Sequence, residues 1–444
     1  MSRIHIIACG GAVMHNIAIA LHLLGHQVTG SDDEIFEPAL SRLQKHNLLP
    51  SQIGWNENKI DPNIDFIILG MHARKENPEL RKAIQLNLKI YSFPDYIYEH
   101  AKNKMRIVIG GSHGKTTSTA MLMHVLKDQN IDFDYLVGSQ LDGFDTMVKF
   151  SEAPIMVIEG DEYLTSALDP VPKFHKYMPH IAMITGISWD HINVFPTFEN
   201  YILQFKIFID LINKEGKLIF FKDDSELLKL TQNIDVLNYS YQTPMYHIRN
   251  GKTIISKAEK YTLDIFGEHN LQNSEGVRLI CKELGINEKE FYASLSTFKG
   301  TSKRLEKVYE DKETIIFRDF AHSPSKLKAS INAIKNQFPE HLIISIYELH
   351  TFSSLNKNFF PEYQGTMENT DEGLIYFNPE VIKHKKLEPI DNKEIRQYFG
   401  EKIAIIQDSK KILEKISEIR SNYIGKPCVL LFMSSGNFDN TKLW

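Results

Sequence analysis

The segment at residues 107–126, IVIGGSHGKTTSTAMLMHVL, places a glycine-rich turn, a lysine and a threonine between an apolar run and a stretch with helical apolar spacing. Phosphate-binding loops follow the pattern G-x-x-x-x-G-K-[ST]; Gly114, Lys115 and Thr116 supply its second half, whereas Ile109 stands at the first glycine. Backbone N–H groups at a helix N-terminus attract anions, and a lysine and a threonine suit a terminal phosphate and Mg²⁺. The flanking strand and helix favour this interpretation over a glycine turn with a solvent-exposed lysine. The predicted phosphate-binding residues are Gly111, Ser112, His113, Gly114, Lys115, Thr116 and Thr117.

Carboxylates follow the next two apolar runs. MVIEGDEY places Glu159, Asp161 and Glu162 after one run, and TGISWDH places Asp190 and His191 after the other. The carboxyl ends of parallel strands form the ligand-binding edge of an α/β sheet, and Mg²⁺ prefers oxygen ligands. A single histidine at a strand end is more often structural, but its combination with carboxylates and a phosphate loop predicts a metal-phosphate site.

The first α/β block must position a second glycine turn. A strand at residues 4–7, a turn at Gly10 and Gly11, a helix, and a strand ending at Asp32 form a βαβ unit, and a further strand ends at His72. The glycine fingerprint of dinucleotide-binding proteins is incomplete. This favours a Rossmann-like half-domain that binds some nucleotide, or none, over a nicotinamide site.

Two more α/β blocks follow, and we predict three domains: a Rossmann-like domain at 1–102, a P-loop domain with a mostly parallel sheet at 103–298, and a Rossmann-like domain at 299–444. The strands that support the second and third blocks are at residues 105–111, 153–162, 180–188, 314–322, 341–350, 373–378 and 427–436.

Length and composition limit the possible functions. At 444 residues, with 42% hydrophobic and 24% charged residues, the chain suits about three globular domains. The net charge of −5 offers no basic field for nucleic acid or membrane. Three cysteines lie far apart, so neither zinc spacing nor a disulfide framework is indicated. Without a signal peptide or a long apolar run, we expect a cytoplasmic protein, either a monomer or a weak dimer.

Six motifs in this order resemble the Mur ligase family, the ATP-dependent enzymes that form amide bonds in peptidoglycan synthesis. The resemblance covers essentially the whole chain. The motifs are Gly111–Thr116; Glu159–Glu162; Asp190 and His191; Gly267, His269, Asn270 and Asn273; Arg304; and Asp319, Phe320, His322 and Pro324.

The resemblance implies three small-molecule substrates: UDP-N-acetylmuramate in the first domain, ATP with Mg²⁺ in the second, and an amino acid or peptide in the third. It implies catalytic roles for Lys115, Glu159, His191 and Arg304, and metal ligation by Thr116, Glu159 and His191. It adds Asn270, Asn273, Arg304 and Asp319 to the ATP site. It assigns the UDP-sugar to Gly10, Gly11, Ser31, Asp32 and His72, and the amino component to His322, His350, Ser434, Ser435 and Asn437.

Within the family, the stretch EGDEYLTSALDPVPKFHKYMPH favours a murein tripeptide over L-alanine as the amino component. The residues that match the pattern of the tripeptide-joining members of the family are Tyr163, Asp169, Lys173, Phe174, Tyr177 and Pro179. The chain departs from the family pattern at TGIS, at Ser323, and at His350, which replaces an arginine suited to a substrate carboxylate. Lys206 is a positional candidate for carbamylation, although an ordinary surface lysine is more expected. Two alternatives of other classes are a dinucleotide-dependent oxidoreductase and a non-catalytic nucleotide-binding regulator.

Overall fold

A computed structural model divides the chain into two compact units. The first unit contains a four-stranded and a seven-stranded sheet, and the second contains a three-stranded and a six-stranded sheet. The predicted fold class, α/β with mostly parallel sheets, is confirmed, whereas the predicted domain boundaries remain predictions. No helix in the described part of the chain combines the length and apolar character needed to cross a membrane. The structure describes residues 1–166, 168–189, 194–232, 234–249 and 251–443.

The four-stranded sheet is parallel throughout, in the order β2-β1-β3-β4. Because β2 lies on one side of β1 and β3 on the other, the strand order reverses beside β1, where α/β sheets bind ligands. Its elements are β1 Arg3–Ile7, α1 Ala12–Leu23, β2 Gln27–Ser31, α2 Ala39–Lys45, β3 Phe66–Leu69, α3 Pro78–Gln85, β4 Lys89–Ser92 and α4 Phe93–Ala101.

The seven-stranded sheet has the order β11-β10-β9-β5-β8-β6-β7, with β7 antiparallel to β6 and the other pairs parallel. Strand β5 lies near its centre, so the turn that follows β5 starts from buried backbone. Just before the edge strand β7, Met147 N donates to Asn16 Oδ1 of α1 at 3.0 Å, which joins the two sheets of this unit. Its elements are β5 Met105–Gly110, α5 Lys115–Asp128, β6 Phe133–Leu136, β7 Val148–Lys149, β8 Ile155–Glu159, β9 Ile181–Ile184, α6 Phe198–Asp210, β10 Lys217–Phe221, α7 Ser225–Leu230 and β11 Leu237–Tyr241.

The second unit begins with a three-stranded antiparallel sheet, which the sequence did not predict. The six-stranded sheet follows in the order β15-β16-β20-β17-β18-β19, parallel except for the edge strand β15. The elements from residue 246 onward are β12 Tyr246–Arg249, β13 Lys252–Ser256, β14 Lys260–Leu263, α8 Glu268–Glu283, α9 Glu288–Leu295, β15 Glu306–Glu310, β16 Thr314–Asp319, α10 Pro324–Gln337, β17 Leu342–Glu348, β18 Glu372–Tyr376, α11 Pro379–His384, α12 Asn392–Phe399, β19 Ala404–Ile406, α13 Ile412–Ser421 and β20 Cys428–Met433.

Candidate functional site

The predicted phosphate loop connects β5 to α5. Gly111 has φ 130° and Gly114 has φ 78°, which are left-handed conformations that favour glycine. A Cβ added to Gly111 would lie 2.1 Å from Thr185 Oγ1, so this position needs glycine for space as well. Ile109 is fully buried in β5, between β8 and β9. The position of the absent first glycine therefore lies inside β5, which ends at Gly110.

Strand β9 fixes this loop. Ser112 N donates to Gly186 O at 3.0 Å, and Thr185 N donates to Gly110 O at 3.0 Å. The Thr185 hydroxyl also donates to the backbone carbonyl of His113. These hydrogen bonds join the loop to the two residues that follow β9 and so fix the shape of the loop.

Lys115 lies at the start of α5 with a carboxylate partner. Its Nζ is 2.7 Å from Glu162 Oε2 and donates to Gly111 O at 2.6 Å. Burial by itself lowers the pKa of Lys115, but the carboxylates of Glu162, Asp161 and Glu159 outweigh burial, so the pKa is raised. The ammonium is therefore charged at neutral pH and is held by a carboxylate that a phosphate could replace.

Thr116 and Glu159 meet beside this ion pair. Thr116 Oγ1 donates to Glu159 Oε1 at 2.7 Å, and Gly138 N donates to Glu159 Oε2 at 2.7 Å. A hydroxyl and a carboxylate at the end of a parallel strand are oxygen donors that fit Mg²⁺. The predicted third ligand, His191, lies outside the described residues, as does Asp190. Within the described residues, no group of three or more His, Cys, Asp or Glu side chains is arranged as a metal site.

A buried hydrogen-bond network behind the loop was not predicted. The Tyr201 hydroxyl of α6 donates to Glu162 Oε1 at 3.0 Å and lies 2.9 Å from Ser112 Oγ. Ser188 N donates to Ser112 Oγ at 2.8 Å. Both Tyr201 and Glu162 are fully buried. The network sets the position of Glu162 and hence of its lysine partner, but its members are too far apart in sequence to form a motif.

The stretch that favours a tripeptide folds beside the same strand end. Lys173 Nζ is 2.5 Å from Asp161 Oδ2 and lies 5.6 Å from the ring centres of both Tyr163 and Phe93. Phe93 belongs to α4, beside the four-stranded sheet. Phe174, which follows Lys173 in the chain, is fully buried. The segment therefore connects the two sheets of this unit next to the phosphate loop.

Most of the residues predicted to bind the UDP-sugar lie at the carboxyl ends of β1 and β2 in the four-stranded sheet. Gly10 N donates to Asp32 Oδ2 at 2.6 Å, and burial is the main cause that raises the pKa of Asp32 to about 6. Ser31 is fully buried at the end of β2, and Gly11 precedes the first turn of α1. His72 is exposed on the loop after β3.

In the second unit, two predicted ATP contacts lie in the first turns of α8. Asn270 and Asn273 are both buried, and Asn270 Nδ2 donates to Phe266 O at 2.9 Å. Gly267 has φ 85°, and a Cβ there would lie 2.8 Å from Ala333 Cβ. The predicted G-x-H-N element is thus a tight helix start packed against α10.

The Asp319 side chain accepts a hydrogen bond from the backbone of Leu305, the residue that follows Arg304. Asp319 Oδ1 accepts from Leu305 N at 3.3 Å and from Phe320 N at 2.8 Å, and its other oxygen accepts from the Ser330 hydroxyl. The Arg304 guanidinium lies 4.6 Å from the ring centre of Phe320. The Asp319 carboxylate therefore holds the turn that carries Arg304, and its predicted contact with ATP remains a prediction.

Residues predicted for the amino component cluster around Glu348 at the end of β17. Its side chain accepts from the Ser434 hydroxyl and from Phe438 N at 3.0 Å, and lies 3.4 Å from His350 Nδ1. A Cβ on Gly436 would lie 2.7 Å from His350 Nδ1, so glycine permits this approach. The sequence did not single out Glu348 as a site residue.

The remaining predicted residues are more dispersed. Within the described residues, Ser435 Oγ is buried without a hydrogen-bond partner, and the Asn437 side chain bonds to Asn440. His322 Nδ1 bonds to Phe320 O at 2.7 Å. Lys206 is exposed on α6, as expected of a surface lysine.

Known proteins match this chain along most of its length. Residues 3–105 match the family described as "Mur ligase family, catalytic domain", and residues 109–279 match "Mur ligase middle domain". The UDP-N-acetylmuramate–L-alanine ligase of Clostridium kluyveri is 30% identical, covering 98% of this chain and 96% of its own.

Solved structures show the same fold. The UDP-N-acetylmuramate–alanine ligase of Thermotoga maritima has a TM-score of 0.71 at 19% identity, and the murein peptide ligase of Psychrobacter arcticus has 0.68 at 21%. In both comparisons 99% of this chain and 97% of the other are covered. MurF ligase of T. maritima, solved with ADP, has a TM-score of 0.61 at 17% identity over 85% of this chain and 86% of its own. The chain therefore belongs to the Mur ligase family and is an ATP-dependent ligase that joins an acid to an amino acid or peptide.

Proposed function

We propose that the chain joins the lactyl carboxylate of UDP-N-acetylmuramate to an amine, using ATP. The observation that carries this proposal is the phosphate loop at the carboxyl edge of the seven-stranded sheet, where Lys115 pairs with Glu162 and Thr116 with Glu159. The glycine turn of the four-stranded sheet supports a nucleotide-sugar in the same compact unit. A nicotinamide oxidoreductase would leave the phosphate loop without a role, and the phosphate-release assay below separates a ligase from a non-catalytic nucleotide-binding regulator.

L-Alanine is the amine that the named relatives support better. The C. kluyveri relative, 30% identical over nearly the full length, is an L-alanine ligase. The murein tripeptide predicted from the sequence is the second candidate. It is favoured by the segment after Glu162, in which Lys173 pairs with Asp161 and lies 5.6 Å from the ring centres of both Tyr163 and Phe93.

The reaction brings two anions together. A carboxylate oxygen of the sugar attacks the γ-phosphorus of ATP, the bond to the β-phosphate oxygen breaks, and ADP leaves from the acyl phosphate. The neutral amine then attacks the carbonyl carbon, inorganic phosphate leaves, and the amine releases a proton. Lys115 and the loop N–H groups stabilise the developing negative charge. Bound Mg²⁺ would neutralise phosphate charge, and Thr116, Glu159 and His191 are the residues proposed to hold it.

A phosphate-release assay tests the proposal and separates the amines. ATP and UDP-N-acetylmuramate are supplied with L-alanine in one reaction and with L-alanyl-γ-D-glutamyl-meso-diaminopimelate in another, and reactions without the sugar serve as controls. We expect phosphate release that depends on both the sugar and one of the amines, with the amide product identified by mass spectrometry. If no phosphate is released in either reaction, with L-alanine or with the tripeptide, the proposed reaction is refuted.

A further inference from the structure

A lysine that the sequence did not single out lies at the edge of the four-stranded sheet. Lys59, at the end of the short 3₁₀ helix Glu57–Lys59, donates from Nζ to Ser31 Oγ at 2.9 Å. Ser31 ends β2 and is fully buried, and its carbonyl accepts from Ala8 N and Cys9 N of the glycine turn. This places an ammonium group at the strand ends beside the proposed UDP-sugar turn.

A buried glutamate fixes the turn that carries this lysine. Glu79, fully buried in the first turn of α3, accepts from Asn56 N at 2.8 Å and lies 3.3 Å from His5 Nε2. Asn56 Oδ1 caps the 3₁₀ helix at Asn58 N, and Lys59 itself bonds Ser31 at the end of β2. A carboxylate buried this deeply needs such partners, and here they tie the Lys59 turn to β1 and β2.

The charges at this edge leave a cation available for a ligand. Asp32 and Glu79 place two carboxylates near the strand ends, and a diphosphate would add further negative charge. Within the described residues Lys59 forms no ion pair, and its recorded hydrogen bond goes to a neutral hydroxyl. An ammonium has three N–H donors, so donors remain for phosphate oxygens.

We propose that Lys59 binds a phosphate oxygen of the nucleotide-sugar, and that Glu79 is a positioning residue that acts through the Lys59 turn. The assignment rests on the proposed function, in which this sheet binds UDP-N-acetylmuramate. It adds a lysine ammonium to a predicted site that otherwise contains the glycine turn, Ser31, Asp32 and His72.

Isothermal titration calorimetry of the full chain tests the role of Lys59. With UDP-N-acetylmuramate and with UDP, we expect Lys59→Met to raise Kd about 10- to 100-fold, the effect of losing a charge-assisted hydrogen bond. Lys59→Arg keeps the charge and should restore most of the affinity. Lys45→Met, an exposed lysine on α2 of the same sheet, should leave Kd unchanged. The ATP affinity of every variant serves as a check that the protein is folded.

The outcomes are distinguishable. Wild-type protein that binds neither UDP-N-acetylmuramate nor UDP overturns the proposed function together with the Lys59 assignment. Wild-type binding combined with a Lys59→Met Kd within twofold of wild type overturns the Lys59 assignment alone.

A double-mutant cycle tests Glu79. We expect Glu79→Gln to weaken UDP binding in the wild-type background and to have little further effect when Lys59 is already methionine, since it acts through that residue. Any loss in melting temperature should be the same in both backgrounds. An equal loss of UDP affinity in both backgrounds would show that Glu79 does not act through Lys59.

Discussion

The carboxyl edges of the seven-stranded and six-stranded sheets both carry acidic residues at strand ends, but their partners differ. At the seven-stranded sheet, Glu162 accepts from the Lys115 ammonium, whereas Glu159 accepts from the Thr116 hydroxyl and from Gly138 N. At the six-stranded sheet, Asp319 accepts chiefly from backbone N–H groups, and Glu348 accepts from Phe438 N and a serine hydroxyl. These carboxylates hold loops in place.

The difference shows that an acidic residue at a strand end does not by itself indicate ligand binding. A carboxylate paired with a side-chain cation can give up that partner to a phosphate, with little change to the backbone. The Asp319 carboxylate, which accepts from two backbone N–H groups, cannot be released without moving its loop. We therefore expect substitutions at the first edge to change chemistry and those at the second to change stability first.

The largest expected effect is at Lys115. Lys115→Ala should lower phosphate release about 10³-fold or more, because the charge proposed to bind the γ-phosphate is removed, while the proposed UDP-N-acetylmuramate binding survives. Lys127→Ala, on the same helix with its ammonium bonded to Gly143 O, is the matched control and should retain activity. Normal turnover of the Lys115 variant would contradict the claim that the carboxylate–lysine pair at the seven-stranded sheet marks a phosphate site.

The next effect concerns Glu159. Glu159→Gln keeps an acceptor for Gly138 N, and its amide N–H can donate to the Thr116 hydroxyl oxygen, but it removes the charge that suits a divalent cation. The magnesium concentration for half-maximal activity should therefore rise about tenfold or more. The measurement is a magnesium titration of phosphate release at saturating ATP. Glu152→Gln, at an exposed position before β8, provides the control. An unchanged titration would remove Glu159 from the metal site.

The smallest expected effect is on stability, at Asp319 of the six-stranded sheet. Asp319→Asn places an amide where the two backbone N–H groups and the Ser330 hydroxyl need acceptors, and should lower the free energy of unfolding by about 1–3 kcal/mol. Urea denaturation measures this change. Asp311→Asn, in an exposed turn where the carboxylate also accepts two backbone N–H groups, should cost less because water replaces the lost bonds. A stable Asp319 variant with lost ATP binding would instead assign that carboxylate to the ligand.

The sequence predicted the elements that follow simple periodic patterns. Buried runs such as Ile107–Ile109 and the apolar spacing of α5 predicted the strand, turn and helix around Lys115, because local pattern and final structure agree there. The antiparallel sheet β12–β14 was missed. Its first strand, Tyr246–Arg249, has no buried residue, so it carries no strong apolar signal.

The site was predictable where its residues are close in sequence and was missed where they are distant. Gly114, Lys115 and Thr116 form one motif, whereas Tyr201 meets Glu162 across 39 positions and Lys59 meets Ser31 across 28. Such pairings depend on strand order, which composition and spacing do not reveal.

Asn16 occupies a position where dinucleotide-binding proteins often have glycine, and its amide holds the backbone N–H of Met147 next to β7. Open sheet edges present unpaired N–H and C=O groups that recruit strands from other molecules and so promote aggregation. Here the end of the seven-stranded sheet is occupied by a helix made much earlier in the chain. Because N-terminal segments emerge first during synthesis, the residues that form α1 have already left the ribosome when the residues of β7 emerge.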